Sequence, residues 1–233
     1  MAQPGAIDKR AYAEERRRLI GQIEAEARDT RSWTGRARFS DRVMAALARV
    51  PRHAFVPPED ISVAYLNRPL AIGHGQTISQ PYIVALMTDL LDLAATDRVL
   101  EIGSGCGYQT AILAEVAGRV YSIEVIEDLA SRARRRLAEL GYANVEVRTG
   151  DGFQGWPEEA PFDAVMVTAA PSRLPGVLAD QLKAGGRMVV PVGRPRATQT
   201  LVLGVKQADG TLKTKKTLPV AFVPMVKGAE KKP

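Results

Sequence analysis

The sequence has one cysteine, Cys106, two histidines, two tryptophans and only 6% aromatic residues in a chain of 233. A single thiol cannot form an intramolecular disulfide, which agrees with a reducing compartment. The two histidines, His53 and His74, lack the partner spacing of a metal site, so no metal is expected. No stretch approaches the roughly 20 apolar residues of a membrane span. The first segment, rich in charge from Asp8 to Arg18, has no apolar core of a signal peptide. These absences lead us to expect a cytoplasmic protein with no membrane partner. The formal charge of +6 permits nucleic-acid binding, but the excess is scattered over clusters such as Arg134 to Arg136 and Lys213 to Lys216. Aromatic residues are not interleaved with those clusters as a base-stacking platform requires, so a solvated basic surface and no nucleic-acid partner are expected.

What the chain does have is enough apolar material, 45% of its residues, for one large core. It also has the run Val99-Leu100-Glu101-Ile102-Gly103-Ser104-Gly105-Cys106-Gly107, an apolar strand entering a glycine-rich turn, with a helical pattern from Tyr108 onward. Such a turn lets backbone approach a nucleotide-like ligand closely. Glu124 follows Gly103 by 21 residues at the end of a second apolar strand, where an acid can accept hydrogen bonds from a ribose diol. Asp151, in Gly150-Asp151-Gly152, closes a third strand-like run. The glycines are spaced GxGxG rather than GxGxxG, and Tyr108 stands where a dinucleotide fingerprint needs a small residue. This turn therefore suits a ligand without phosphates, such as S-adenosylmethionine. A tight turn with no ligand remains the competing account of the glycines alone.

Along the chain, Asp8 to Arg28 reads as a solvent-facing helix with an apolar stripe, interrupted over Thr30 to Gly35. Asp41 looks like the cap of a second helix stopped by Pro51, and Phe55 to Pro58 should be extended. Gln76 to Pro81 reads as a polar loop into a helix from Tyr82 to Leu91, with Ser79 or Gln80 near its cap. Strands are then expected over 98–103, 120–125, 145–149, 162–168 and 187–192. Helices fill 109–117, 129–140 and 174–182, the last ending at Gly185-Gly186. Hairpin strands follow over 200–205 and 217–223.

Several blocks together resemble the protein-L-isoaspartate O-methyltransferases. They are Arg52-His53-Ala54-Phe55-Val56-Pro57, Gln76-Thr77-Ile78-Ser79-Gln80-Pro81, the glycine turn through Gln109, Gly150-Asp151-Gly152, Ala160-Pro161-Phe162-Asp163, Gln181 to Arg187 and Phe222-Val223-Pro224-Met225. The resemblance spans roughly residues 40 to 228, and its most specific element is the Thr-Ile-Ser-Gln-Pro loop. It implies an α/β fold: a doubly wound, mostly parallel Rossmann-like methyltransferase sheet with helices on both faces. An N-terminal helical extension and C-terminal hairpin strands complete it. The whole chain, 1–233, reads as one domain, with 1–75 as extension and substrate-side segment and 76–233 as cofactor-binding core.

The resemblance also implies an activity. The family transfers methyl from S-adenosylmethionine to the carboxylate of L-isoaspartyl residues in damaged proteins, leaving S-adenosylhomocysteine. The ester then collapses to a succinimide whose hydrolysis returns some normal aspartate. A carboxylate, with a reference pKa near ~4, is already ionised at neutral pH, so no general base is needed. Sulfonium and carboxylate charges vanish together on transfer, which a desolvated, in-line site favours. By resemblance Ser79 is the active-site serine, orienting the acceptor by a hydrogen bond; the competing reading is that Ser79 only caps the helix after it. The cofactor set is Thr77, Ile78, Ser79, Glu101, Gly103, Ser104, Gly105, Gly107, Glu124, Asp151 and Gly152. Glu124 should hold the ribose, Asp151 with Gly152 the adenine edge, and Glu101 either the methionine amine or the loop itself.

Other residues keep two readings. Arg52 either steers an anionic substrate or ties the N-terminal segment to the sheet. Val223, Pro224 and Met225 either line a peptide groove or pack in the core, while Trp33 and Trp156 read as packing residues. Cys106 reads as a small turn residue without redox or nucleophilic work. The resemblance implies isoaspartyl proteins and peptides as substrates, and the chain is expected to act as a monomer, with a dimer as the alternative. Two rival functions keep the fold: a carboxyl methyltransferase that modifies one aspartate of a partner peptide, and a silent binding module.

Overall fold

A computed structural model of the chain describes residues 12–195 and 197–228. Helix α1 (Ala13–Asp29) buries Leu19, Ile23 and Ala27, spaced by four, and leaves its arginines and glutamates mostly outside. The expected start of this helix at Asp8 lies outside the described residues. A single turn, α2 (Arg31–Thr34), occupies the expected interruption and ends at Gly35 with φ 73°. Helix α3 (Asp41–Arg49) begins as expected, although its cap position is Ser40 and no side chain caps it.

Two 3₁₀ turns, Arg52–Phe55 and Pro58–Val63, replace most of the extended segment expected at 55–58; only Val56 and Pro57 between them are extended. A short hairpin follows, β1 (Leu70–Gly73) against β2 (Gln76–Ile78), so the expected polar loop is half strand. Helix α4 (Pro81–Leu91) is buried all round except at Ile83, which makes it the central layer between the N-terminal helices and the sheet. Neither Ser79 nor Gln80 caps it through a side chain. Asn67 does so instead from 15 residues upstream, its Oδ1 accepting from the Tyr82 amide at 3.0 Å.

The main sheet is built from β3 (Arg98–Ile102), α5 (Tyr108–Val116), β4 (Arg119–Glu124), α6 (Glu127–Glu139), β5 (Val145–Thr149), β6 (Phe162–Val167), α7 (Gly176–Asp180), β7 (Leu182–Val192), β8 (Gln199–Lys206) and β9 (Leu212–Val220). Its strand order is β5-β4-β3-β6-β7-β8-β9, parallel from β5 to β7 and antiparallel beyond. This is the doubly wound, mostly parallel sheet with an N-terminal helical extension and C-terminal hairpin strands that the sequence implies. β3 is flanked by β4 and by β6, so the chain reverses its direction of winding there, and the carboxyl ends of these three strands open a crevice.

Two boundaries differ. The last hairpin strand, β9, runs over Leu212–Val220 rather than 217–223, because its lysine-rich first half is the exposed part of an edge strand. Helix α7 is five residues long, and Gly185-Gly186, expected to end a helix, fall inside β7. Pairing jumps from Phe162↔Leu182 to Ala164↔Arg187, so Lys183 to Gly186 form a bulge, with Gly185 at φ 81° making its turn. No helix among the described residues is long and apolar enough to cross a membrane.

Candidate functional site

The glycine turn after β3 is fixed from both neighbouring strands. The Gly103 amide donates to the Ile123 carbonyl of β4 at 2.7 Å. Thr168, just past β6, places its Oγ1 2.6 Å from the Gly103 carbonyl and 2.9 Å from that of Ile102. Gly103 has φ 95°, and a Cβ there would lie 2.4 Å from Thr168 Oγ1, so this position admits only glycine. Gly107 precedes α5 and its amide donates to the Ser104 carbonyl, which closes the turn.

Glu124 joins this turn to the tip of β4. Its Oε2 accepts from the Gly105 amide at 2.8 Å and its Oε1 from the Ile126 amide at 3.0 Å, with 5% of the residue exposed. One bond per oxygen leaves acceptor capacity on both. The carboxylate lines a cleft of about 730 Å³, counted out to its open mouth. Thr77, Gly103, Gly105 and Gly152 line it too, closed on the far side by Val223 to Val226. That last segment is held by a bridge between Pro224 and Ala170, so the chain beyond β9 is a wall of the cleft. Gly152 is needed there because a Cβ would meet Ile102 Cγ2 at 2.3 Å.

A small recess opens beside the cleft, lined by Thr77, Ile78, Ser79, Gly103, Ser104 and Gly105. Ser104 Oγ is buried in it with no partner. A buried hydroxyl without a hydrogen bond is a cost that a polar ligand can remove.

The third space is a groove of about 1240 Å³ on the N-terminal side, which contains Ser79. Its walls are Glu26 from α1, Thr30 between the helices and Trp33 from α2, with Leu218 to Val223 opposite. Thr77 and Thr168 line all three spaces. The cleft and the groove therefore meet at these two threonines, beside Ser79.

Arg52 holds the Ser79 loop from below. It is fully buried, donating from Nε to the Ala64 carbonyl at 2.9 Å and from Nη2 to the Ser79 carbonyl at 2.9 Å, and its guanidinium lies 4.8 Å from the Tyr108 ring centre. Burial lowers its pKa from the ordinary arginine value, and the neighbouring Tyr108 opposes that. Of its two sequence readings the tie is the one this burial allows, since a side chain with no exposed surface cannot steer a substrate.

Of the residues singled out from sequence, Thr77, Gly103, Gly105, Glu124 and Gly152 line the cleft, and Ile78, Ser79 and Ser104 the recess. Gly107 lies behind them at the start of α5. Asp151 stands beside Gly152, where its Oδ1 caps a one-turn helix by accepting from the Phe153 amide at 2.9 Å. Glu101 lies beneath the turn, wholly buried. Its Oε2 accepts from Thr110 Oγ1 at 2.5 Å and Ser122 Oγ at 2.6 Å, and its Oε1 has no partner. Burial pushes its carboxyl up to about 7, against the two hydroxyl bonds and with the nearby Glu124 charge adding to the rise.

Burial likewise raises the Cys106 thiol, which removes it as a nucleophile at neutral pH. Among the described residues no group of three or more His, Cys, Asp or Glu side chains is placed to hold a metal. Trp33 is 56% exposed at the groove rather than packed, contrary to its sequence reading, because α2 ends there in a single turn. Sequence reasoning missed Thr168, Glu26 and Gln76. Thr168 had a signal, as the first polar residue after the apolar run of β6, at the carboxyl end of a strand. Glu26 had none.

The family model for protein-L-isoaspartate(D-aspartate) O-methyltransferase matches residues 32–230. A protein from Polaromonas sp., protein-L-isoaspartate O-methyltransferase 2, is 56% identical over 207 residues, covering 89% of this chain and 98% of its own. One of the same designation from Syntrophobacter fumaroxidans is 54% identical, covering 96% of this chain and 90% of its own. A solved protein-L-isoaspartate O-methyltransferase superposes with a TM-score of 0.80 at 29% identity, over 91% of this chain and 66% of that longer one. The structure of a putative Plasmodium falciparum enzyme of that kind, in complex with S-adenosyl-L-homocysteine, superposes with a TM-score of 0.74 at 24% identity and shows the same fold.

Proposed function

The chain belongs to the protein-L-isoaspartate(D-aspartate) O-methyltransferase family, and from that premise we propose how its own residues methylate the carboxylate of L-isoaspartyl residues in damaged proteins. S-Adenosylmethionine, when bound, supplies a methyl group made electrophilic by its sulfonium. The cleft fits it on three counts: free acceptor capacity on Glu124 for a ribose diol, a close-approach backbone at Gly103 and Gly152, and an unpartnered Ser104 hydroxyl in the adjoining recess. Glu124 holds the ribose in this reading. Asp151 positions the Gly152 backbone at the adenine edge, and the recess residues Ile78 and Ser104 receive the amino-acid end. Glu101 acts from beneath, bracing α5 and β4 against the turn through Thr110 and Ser122.

The acceptor enters from the other side. Ser79 orients its carboxylate by donating from its hydroxyl, and because that carboxylate is already ionised no base has to remove a proton. The Ser79 backbone is held from below by Arg52, so the hydroxyl is placed by a rigid loop. The observation that carries the reading is the meeting of cleft and groove at Thr77 and Thr168, which gives donor and acceptor a common wall beside Ser79. In the same reading the full chain is one catalytic domain, with 1–75 as extension and substrate side and 76–233 as cofactor core. It works as a monomer in the cytoplasm, without nucleic-acid or membrane partners.

Incubation of isoaspartyl peptides of unrelated sequence with the protein and S-adenosylmethionine tests this. Chromatography should show each one converted in part to its normal aspartyl isomer. Conversion of none, or of one sequence only, contradicts repair as the function.

A further inference from the structure

Glu26 is the one charged side chain among the described residues that line the Ser79 groove. It projects from the last turn of α1, where Asn67 Nδ2 donates to its Oε2 at 2.7 Å and Gln80 Nε2 lies 3.2 Å from both its oxygens. Both partners are neutral amides, and no arginine, lysine or histidine among the described residues forms an ion pair with it. Burial raises its pKa, the two amide bonds oppose this, and the Asp29 charge adds to the rise. A half-buried carboxylate held by neutral donors in an otherwise uncharged groove is short of a counter-charge.

Trp33 lines the same groove with 56% of its surface exposed, and the face of an exposed indole attracts cations. Gln80, which contacts Glu26, is the next residue after Ser79. The carboxylate is thus one glutamine side chain away from the acceptor-orienting residue. An extended peptide advances roughly 3.3 Å per residue, so a long side chain two or three residues from the reacting carboxylate can reach it.

We propose that Glu26 and Trp33 form a subsite for a cationic side chain, lysine or arginine, that flanks the isoaspartyl residue of the substrate. The subsite rests on the methyl-transfer reading and adds to it a preference among damaged sequences. It also gives α1 a part in substrate selection, beyond covering the core.

The test is methyl transfer from S-adenosylmethionine to isoaspartyl peptides carrying lysine or norleucine at each position from three before to three after the reacting residue. The readout is the ratio of kcat/KM for lysine over norleucine within one protein variant, so a general loss of activity cancels. The wild type should favour lysine at one or more positions by about fivefold to tenfold, mainly through KM. The ratio should fall toward one in Glu26→Gln and below one in Glu26→Lys, where like charges repel. If the variants do not fold, the wild-type ratio should still shrink as salt rises from about 50 to 500 mM, because this pair is open to solvent on one side. A wild-type ratio of one at every position, or a ratio that survives Glu26→Gln, overturns the subsite. Equal and efficient methylation of both peptides overturns the subsite alone. No transfer to either overturns the methyl-transfer reading, and the subsite with it.

Discussion

Arg52 donates to the main-chain carbonyl of Ser79 across 2.9 Å from a guanidinium that has no exposed surface. The same side chain bonds the Ala64 carbonyl, so one residue links the segment after α3 to the loop that carries the candidate acceptor-binding serine. Arg52→Ala leaves those carbonyls without this donor, at a cost of about 1–3 kcal/mol for each one buried. Arg52→Lys keeps a charge but cannot reproduce the fork, so it should also lose stability and should slow turnover more than it weakens S-adenosylmethionine binding. Urea unfolding together with calorimetric titration of the cofactor checks both. Wild-type stability in the lysine variant contradicts the assignment.

Gly103 and Thr168 are in contact where cleft and groove meet. Gly103→Ala puts a methyl group 2.4 Å from Thr168 Oγ1 and a side chain at φ 95°. Thr168→Ala in the same chain relieves the contact but not the backbone strain. The single variant should lose cofactor binding, and the double variant should recover it only in part. Full recovery assigns the whole effect to the threonine, and no loss at all removes the turn from the binding site.

Glu101 makes stability depend on pH. Its folded carboxyl sits near about 7 against an ordinary 4.5, so the folded state holds a proton that the unfolded state releases. The protonated form favours folding. Its contribution is complete below about 4.5 and is lost as pH rises through about 7, amounting to roughly 3 kcal/mol. Unfolding free energies at pH 5 and pH 8 should therefore differ in the wild type by more than in Glu101→Gln, which has no carboxyl to titrate there. Parallel pH profiles for the two proteins contradict the buried, proton-holding carboxyl.

The parts of the site that were legible in the sequence are those where local chain geometry does the placing. Gly103 and Glu124 sit at strand ends, and an apolar run that stops at glycine or an acid marks such an end directly. β5 falls on 145–149, as read from its alternation. Hidden parts depend on distant side chains converging. Asn67 caps a helix 15 residues away, in the position where a local Ser79 or Gln80 cap was expected. Glu26 reaches Gln80 across 54 residues, and nothing near it in the chain signals that. Gly185 reads as a helix end in the sequence and turns a bulge in the structure, because both uses need the same freedom to adopt positive φ.

The most direct measurement is transfer of labelled methyl from S-adenosylmethionine to two peptides identical except for an L-isoaspartyl or a normal L-aspartyl residue, with wild type and Ser79→Ala side by side. Base-labile label should appear on the isoaspartyl peptide alone. Ser79→Ala should cut kcat/KM by about 10- to 100-fold, the worth of one hydrogen bond to a charged acceptor. Label on neither peptide at saturating cofactor, or equal label on both, contradicts the account.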